Sequence, residues 1–135
     1  MQEEELKKKI GIVQKMLDIL RKALNIQTQL DKLRLEELIR KIAKEEGADP
    51  GILLATIKCE SGLNPKAVCK NTDGTEDYGI CQFNSYWYVS KGAISKEECF
   101  IPEIAIRLMA KRFAQGWARD WVCFKTKKYL GFLKS

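Results

Sequence analysis

The sequence of 135 residues contains no histidine, which removes several kinds of catalytic and metal site. Ser-His-Asp and Cys-His mechanisms are unavailable in their usual form without an imidazole base. The five cysteines include no C-x-x-C pair, so a structural zinc site is not expected. We predict no metal and no other cofactor.

The odd number of cysteines also limits how they pair. At least one of the five thiols must be free or bonded to another chain. The sequence leaves the connectivity open, and free cysteines often behave as small buried apolar residues. We expect several buried apolar cysteines here rather than a complete disulfide framework.

Long apolar segments are missing as well. No run approaches the length that crosses a bilayer, so we predict no membrane span. The first five residues, MQEEE, are acidic, unlike the basic start of a signal peptide. We expect no signal peptide in this chain, so an exported protein would have lost its signal or would reach its target by another route.

The charge is basic but not concentrated. The net charge is +6, with no arginine-rich block and no recognisable nucleic-acid-binding motif. Contents of 45% hydrophobic and 31% charged residues are those of an ordinary soluble globule, and the length fits one domain with its own core. A basic surface suits a polyanion or a bacterial wall, or is simply solvated. We predict no nucleic-acid partner.

A heptad pattern marks the N-terminal segment. Its apolar residues step by four and three positions, which is the lower limit of a coiled-coil pattern; they are Leu6, Ile10, Val13, Leu17, Leu20 and Leu24. We predict an amphipathic helix over 1–32, with 33–135 as a second domain. The favoured interpretation folds this arm back on the domain, and the alternative is self-association through 1–30. The pattern is lost over 25–31, which predicts a break or kink there.

Domain 33–135 is predicted to be mostly α, with a small antiparallel β hairpin or three-stranded sheet: an α+β fold. One helix is expected from Leu33 to Glu46, and Gly47 ends it. The pair Asp49 and Pro50 predicts the start of an apolar helix that ends near Ser61.

Turn-forming residues dominate 64–84, where we expect the sheet, with Asp77 on its second strand. Pro102 begins a helix that runs to about Gln115, and a last helix or turn follows over 117–124. The side chains expected to face inward from the Pro102 helix are Ile104, Ala105, Leu108, Met109 and Phe113.

Two carboxylates stand out by their position. Glu60 lies at the end of an apolar helix, and Asp77 lies in the turn-rich β segment. A pair of carboxylates on either side of a glycosidic bond is what glycoside cleavage requires. Taken singly each acid is a weak signal, because such residues usually cap turns or face solvent.

The context of these acids resembles a known superfamily. Glu60-Ser61 is followed, seventeen residues after the glutamate, by the block DYGICQFNS over 77–85. Together they resemble the catalytic signature of the lysozyme superfamily. The turn at 71–74 and the Asp77-Tyr78 pair resemble c-type lysozymes, whereas 60–68 is closer to bacterial soluble lytic transglycosylase (SLT) domains. The resemblance spans roughly Leu35 to Lys125.

The resemblance implies a lysozyme-like fold with the sheet beside a cleft. It also implies a muramidase that acts on the bond between N-acetylmuramic acid and N-acetylglucosamine in peptidoglycan glycan strands. Glu60 would be the general acid, with its pKa raised by an apolar lining such as Trp121. Asp77 would be a nucleophile or an electrostatic stabiliser. Such a protein is expected to be extracytoplasmic (secreted, periplasmic or associated with the wall) or delivered by a phage.

The same resemblance implies a set of substrate-binding residues. Asn71 and Asn84 match family positions around the second carboxylate and an N-acetyl group, and Gln82 matches a glutamine beside the cleft. Trp87 and Tyr88 match aromatic platforms for sugar rings, with core packing as the rival role. The full set expected to bind substrate is Ser61, Asn71, Gln82, Asn84, Trp87, Tyr88 and Trp121.

The sequence also departs from c-type lysozymes. Its cysteines do not fall at the c-type disulfide positions, so Cys59 and Cys81 are expected to be buried fillers or to form a local bridge. Hydrolysis and formation of a 1,6-anhydro product both stay open. The alternatives of another class are a non-catalytic glycan-binding module and an adaptor assembled through its coiled-coil arm.

Overall fold

The computed structural model describes residues 2–133. Met1, Lys134 and Ser135, at the ends of the two predicted segments, lie outside the described residues. The helices are α1 (Gln2–Glu46), α2 (Pro50–Ser61), α3 (Pro102–Ala114) and α4 (Val122–Lys125), and the strands are β1 (Val68–Lys70), β2 (Glu76–Tyr78) and β3 (Phe83–Asn84). A π-helical turn covers Ser85–Ser90, and 3₁₀ turns cover Glu98–Phe100, Ala118–Asp120 and Lys128–Phe132. The predicted α+β architecture, mostly α with a three-stranded sheet, is confirmed.

The chain forms two compact units, Met1–Arg34 and Leu35–Ser135. Helix α1 is continuous through 25–31, so the predicted break is wrong. No glycine or proline occurs in that stretch, and losing an apolar face does not remove any backbone hydrogen bond of a helix. Local side-chain bonds also satisfy polar groups there: Gln27 donates to Asp31 at 2.9 Å, and the Thr28 hydroxyl donates to the Leu24 carbonyl at 3.0 Å.

The apolar seam of the first unit is exposed. The six heptad residues from Leu6 to Leu24 have exposed fractions of 43–68%, and the role of the arm stays a prediction. A second set of apolar residues lies one position before three of these seam residues and is exposed to a similar degree; its members are Ile12, Met16 and Ile19. The apolar face of the arm is therefore broader than the heptad pattern alone indicates.

The second unit begins with the buried end of α1. Ile39 and Ile42 are fully buried, with Leu35 and Leu38 packed at the edge of the core, as the pattern predicts. Gly47, at a φ of 81°, ends the helix. Asp49 then caps α2 by accepting a 3.0 Å hydrogen bond from the amide of Ile52, and this confirms the predicted helix start.

The strands form one antiparallel sheet in the order β1-β2-β3. Asp77 lies on the second strand, as predicted, and pairs with Cys69 on one side and Asn84 on the other. The turn after β2 requires Gly79, which has a φ of 79° and packs so closely on Cys99 that a Cβ atom would lie 1.9 Å from the Cys99 carbonyl oxygen.

Helix α3 covers the core with a face slightly different from the expected one. Ala105 and Met109 are buried as predicted, and Leu108 and Phe113 pack at the edge of the core. Ile104 is 39% exposed, so its predicted inward position is wrong. The inward stripe is centred one position later and also contains Ile106 and Ala110, because residues 105, 106, 109 and 110 share one helix face.

The cysteines divide into a bridge and three free thiols. Cys59 and Cys123 form a disulfide across 64 residues of sequence. Cys81 and Cys99 are free and fully buried, which confirms the expectation of buried apolar cysteines, whereas Cys69 is free and exposed. Within residues 2–133 no helix has an apolar stretch long enough to cross a bilayer.

Candidate active site

Glu60 is presented at the last turn of the buried helix α2, one residue after the disulfide cysteine Cys59. Its Oε1 atom accepts a 2.9 Å hydrogen bond from the backbone N–H of Cys123. Burial raises the pKa of the Glu60 carboxyl, the Cys123 hydrogen bond opposes that shift, and the charge of Asp77 adds to it. The net shift is upward, which favours a protonated carboxyl.

Asp77 is held by its neighbour in the sheet. The side-chain amide of Asn84 donates a 3.0 Å hydrogen bond to Asp77 Oδ1 and a 3.1 Å bond to Thr75 Oγ1. Asn84 Oδ1 accepts from the backbone amides of Tyr86 and Trp87, so the same side chain caps the π-helical turn. One asparagine therefore fixes both the second carboxylate and the start of the aromatic segment.

The turn between β1 and β2 continues this network. Asn71 donates from Nδ2 to Thr75 Oγ1 at 3.0 Å, and Thr75 donates its hydroxyl to Asp73 Oδ1 at 2.6 Å. The hydrogen bonds from Thr75 lower the pKa of the Asp73 carboxyl. A connected set of polar groups thus runs from Asp73 to Asp77 through Thr75 and Asn84.

These groups surround one cavity of about 270 Å³. The residues that line it include four with carboxyl groups and no lysine or arginine. Eight of the nine site residues expected from the sequence are brought together here. The residues that line the cavity are Glu60, Asn71, Asp73, Thr75, Asp77, Gln82, Asn84, Trp87, Tyr88, Asp120, Trp121 and Val122.

Aromatic rings form one wall of the cavity. Trp121 is buried, and its indole N–H donates a 2.7 Å hydrogen bond to the Cys81 carbonyl. Tyr88 is also buried and donates from its hydroxyl to Asp120 at 2.7 Å; burial and this bond raise the Tyr88 pKa well above its usual range. Trp87, by contrast, is 67% exposed. Its side chain is accessible to a ligand, whereas Tyr88 and Trp121 also pack in the core.

Two expected residues have structural partners of their own. Ser61 lies outside the cavity lining, and its hydroxyl donates to the Ile80 carbonyl at 2.6 Å, which joins the end of α2 to the loop after β2. Gln82 lines the cavity, but its amide donates to the Gly79 carbonyl at 2.9 Å and to the Ala67 carbonyl at 3.3 Å. Their roles in substrate binding stay predictions.

Four lining residues are not among the nine site residues expected from the sequence: Asp73, Thr75, Asp120 and Val122. Asp73 and Thr75 are visible only as turn formers. Asp120 reaches the site through Tyr88, 32 residues earlier, so no local pattern marks it. It also lines a second cavity of about 420 Å³, which shares Asn84, Trp87 and Tyr88 with the first and extends it to Arg112 and Trp117.

Residues 2–133 contain no group of three or more potential metal ligands placed to hold an ion. The chemistry that the cavity offers is that of carboxyl groups: a half-buried acid with a raised pKa and a hydrogen-bonded carboxylate line the same cavity. Such an arrangement supplies a proton donor and a negative charge on one bound molecule.

Comparison with known proteins identifies the family. The model of the transglycosylase SLT domain matches residues 37–118. The chain belongs to the SLT family. This match confirms the resemblance found in the sequence and covers α2, the sheet and α3, whereas α4 and Cys123 lie beyond it.

Lysozyme C-1 from Anas platyrhynchos is a second relative. It is 51% identical to this chain over 45 residues, which are 32% of this chain and 31% of the duck protein. The chain thus spans about a third of the length of that curated relative. Both comparisons agree with the lysozyme-like resemblance.

Proposed function

We propose that the SLT domain is a muramidase that cleaves the β-1,4 bond between N-acetylmuramic acid and N-acetylglucosamine in peptidoglycan, with Glu60 as the general acid. The observation that carries the proposal is the position of Glu60 and Asp77 in one cavity, with the pKa of Glu60 raised by burial. Membership of the SLT family supports the choice of peptidoglycan glycan strands as substrate.

In the first step, protonated Glu60 donates its proton to the glycosidic oxygen as the bond from that oxygen to C1 breaks. Positive charge then develops on the sugar ring, and the Asp77 carboxylate stabilises it or attacks C1. The hydrogen bond from Asn84 keeps Asp77 in a fixed orientation for this role. The raised pKa of Glu60 suits an acid that must hold its proton near neutral pH.

Two second steps are compatible with this first one. In hydrolysis, ionised Glu60 takes a proton from water, which attacks C1. In lytic transglycosylation, Glu60 takes the proton from the 6-hydroxyl of the same muramic acid residue, which then attacks C1 to give the 1,6-anhydro product. The presence of Asp77, held by its hydrogen bond from Asn84, favours hydrolysis, while the sequence around 60–68 favours transglycosylation.

The cavity lining also supports a substrate-binding role for the predicted residues. The exposed indole of Trp87 suits the C–H surface of a pyranose ring, and Tyr88 and Trp121 supply the apolar wall of the cavity. Asn71, Gln82 and Asn84 supply amide groups for hydroxyl and N-acetyl substituents. Because its substrate lies outside the cytoplasm, the domain is proposed to act in the periplasm, at the wall or after delivery by a phage.

Digestion of purified peptidoglycan sacculi tests the proposal. Soluble products are treated with borohydride and weighed by mass spectrometry. Muropeptides that end in reduced N-acetylmuramitol indicate hydrolysis. Products that borohydride does not reduce, and that are lighter by one water than the unreduced hydrolysis product, indicate the 1,6-anhydro route. Products with reduced N-acetylglucosaminitol ends would contradict the bond assignment, and binding to sacculi without release would favour the non-catalytic module.

A further inference from the structure

The disulfide of this chain brackets Glu60 from both sides. Cys59 immediately precedes Glu60 in α2, and its partner Cys123 supplies the backbone N–H that donates to Glu60 Oε1 at 2.9 Å. We propose that the Cys59–Cys123 disulfide is the positioning device of the general acid: it holds the Cys123 amide on the Glu60 carboxyl, so that activity depends on the oxidised state. This inference rests on the proposed function for the role of Glu60.

The geometry explains why such a tether is needed. Helix α4 has only four residues, fewer than an isolated helix requires for stability in water. Trp121, just before it, is fixed by its hydrogen bond to the Cys81 carbonyl, but the backbone after Trp121 carries exposed side chains at Val122 and Lys125. Cys123 is the buried residue of α4, and the disulfide joins it to the same turn of α2 that carries Glu60.

The hydrogen bond from Cys123 matters for the chemistry because it opposes the effect of burial on the pKa of Glu60. Burial raises the pKa of Glu60, and the Cys123 amide lowers it by stabilising the ionised carboxylate. The same ionised form must accept a proton in the second step. Loss of the amide contact therefore changes the orientation of the carboxyl and moves its pKa further upward.

Reduction breaks the S–S bond by thiol–disulfide exchange. A dithiol such as dithiothreitol supplies two electrons and two protons, leaves thiols at Cys59 and Cys123, and becomes its own cyclic disulfide. Cys81 and Cys99 are buried free thiols and Cys69 is an exposed one, so none of them loses a bond in this reaction. The exposed position of Cys69 makes Cys69→Ala a matched control for cysteine removal.

The test is a titration of the full chain that does not depend on catalysis. Glutamate side-chain carboxyl groups are labelled with carbon-13, and the pKa of Glu60 is read by NMR in the oxidised chain, the reduced chain, Cys59→Ala, Cys123→Ala and Cys69→Ala. We expect the Glu60 pKa to be higher in the reduced chain, in Cys59→Ala and in Cys123→Ala than in the oxidised wild type. In Cys69→Ala it should equal the value of the oxidised wild type. The amide resonance of residue 123 should follow the titration of Glu60 only when the disulfide is present.

Turnover of sacculi gives the second readout. We expect kcat to fall on the order of tenfold to a hundredfold after reduction, because a displacement of about 1 Å in a catalytic group has effects of that size. The alkaline limb of the pH profile should move to higher pH, and reoxidation should reverse both changes.

Two outcomes would overturn the positioning role, and a third would overturn only the proposed function. An unchanged Glu60 pKa in the reduced chain would show that Trp121 alone holds the amide in place. Global unfolding on reduction, seen as loss of near-ultraviolet circular dichroism, would make the disulfide a general stabiliser. An oxidised chain that cleaves no peptidoglycan but shows the expected pKa change would contradict the proposed function while leaving the positioning role intact.

Discussion

Asn84 and Asp77 face each other across the β2–β3 ladder, and the amide of Asn84 donates a 3.0 Å hydrogen bond to Asp77 Oδ1. The pairing in register of the two strands therefore places the donor opposite the carboxylate. The other end of the Asn84 side chain accepts from two backbone amides and caps the turn that carries Trp87. The second carboxylate and the aromatic platform are thus positioned by one residue.

Asn84→Asp is predicted to separate these two roles. Aspartate keeps the oxygen that caps the Ser85–Ser90 turn, but it places a second carboxylate against Asp77 in place of a donor. We expect a loss of kcat/KM on the order of tenfold or more and a free energy of unfolding within about 1 kcal/mol of wild type. Asn84→Ala, which removes the cap as well, should lose both activity and about 1 kcal/mol of stability.

Glu60→Gln is predicted to stabilise the fold in a pH-dependent way. Because the folded-state pKa of Glu60 is raised above 4.5, the folded chain binds more protons than the unfolded chain between these two pKa values. The stability of wild type therefore falls as pH rises through that window. In Glu60→Gln the side-chain amide does not titrate, and its oxygen still accepts from the Cys123 backbone N–H, so the variant does not lose this stability.

Melting temperatures near pH 4 and near pH 7 test the predicted direction of this pH dependence of stability. The difference between Glu60→Gln and wild type should be small at the lower pH and favour the variant at the higher one. The exposed Glu37→Gln serves as the control and should show no such trend. If Glu60→Gln is less stable than wild type at neutral pH, burial is not the cause of the raised Glu60 pKa.

The turn beneath the site depends on Gly79 more than on Gly74. Both residues have positive φ values, of 79° and 87°, but a Cβ atom at Gly79 would lie 1.9 Å from the Cys99 carbonyl oxygen, whereas nothing lies within 4 Å at Gly74. Gly74→Ala should cost about 1 kcal/mol from the left-handed conformation alone. Gly79→Ala should cost at least about 4 kcal/mol or prevent folding. Urea denaturation measures both, and equal costs would refute the close packing.

The exposed seam of the N-terminal arm is predicted to mediate self-association. Full-length chain should sediment as a dimer or larger species, because assembly buries the apolar seam. The double variant Val13→Asp, Leu20→Asp places charges in that seam and should sediment as a monomer of about 15.5 kDa. Lys15→Asp, Lys22→Asp changes charge on the polar face and should keep the assembly. A wild-type chain that sediments as a monomer at all concentrations would remove this proposal.

The parts of the fold that the sequence predicted are those encoded by local patterns. Asp49 and Pro50 mark the start of α2, Gly47 marks the end of α1, and the turn residues after Asn64 mark the sheet. In each case a few adjacent residues favour one backbone conformation. The continuity of α1 through 25–31 was missed because a change of exposed face looks like a break in a periodic pattern, although the backbone has no reason to stop there.

The site was predictable in its motif and not in its long-range contacts. Glu60 and Asp77 belong to a compact signature, so their pairing follows from the sequence. The amide of Cys123 on Glu60 comes from 63 residues later in the chain, and Asp120 reaches Tyr88 across 32 residues. The Cys59–Cys123 disulfide beside the Glu60 contact is one of several pairings that five cysteines allow. Such contacts depend on how the C-terminal turns pack, which no local pattern records.

The most direct measurement is the rate at which Glu60→Gln releases soluble muropeptides from purified sacculi, beside wild type and the exposed control Glu37→Gln. Removal of a general acid is expected to lower the rate by roughly 10² to 10⁴-fold, with circular dichroism unchanged and the control at the wild-type rate. Release by Glu60→Gln at the rate of wild type would contradict the account.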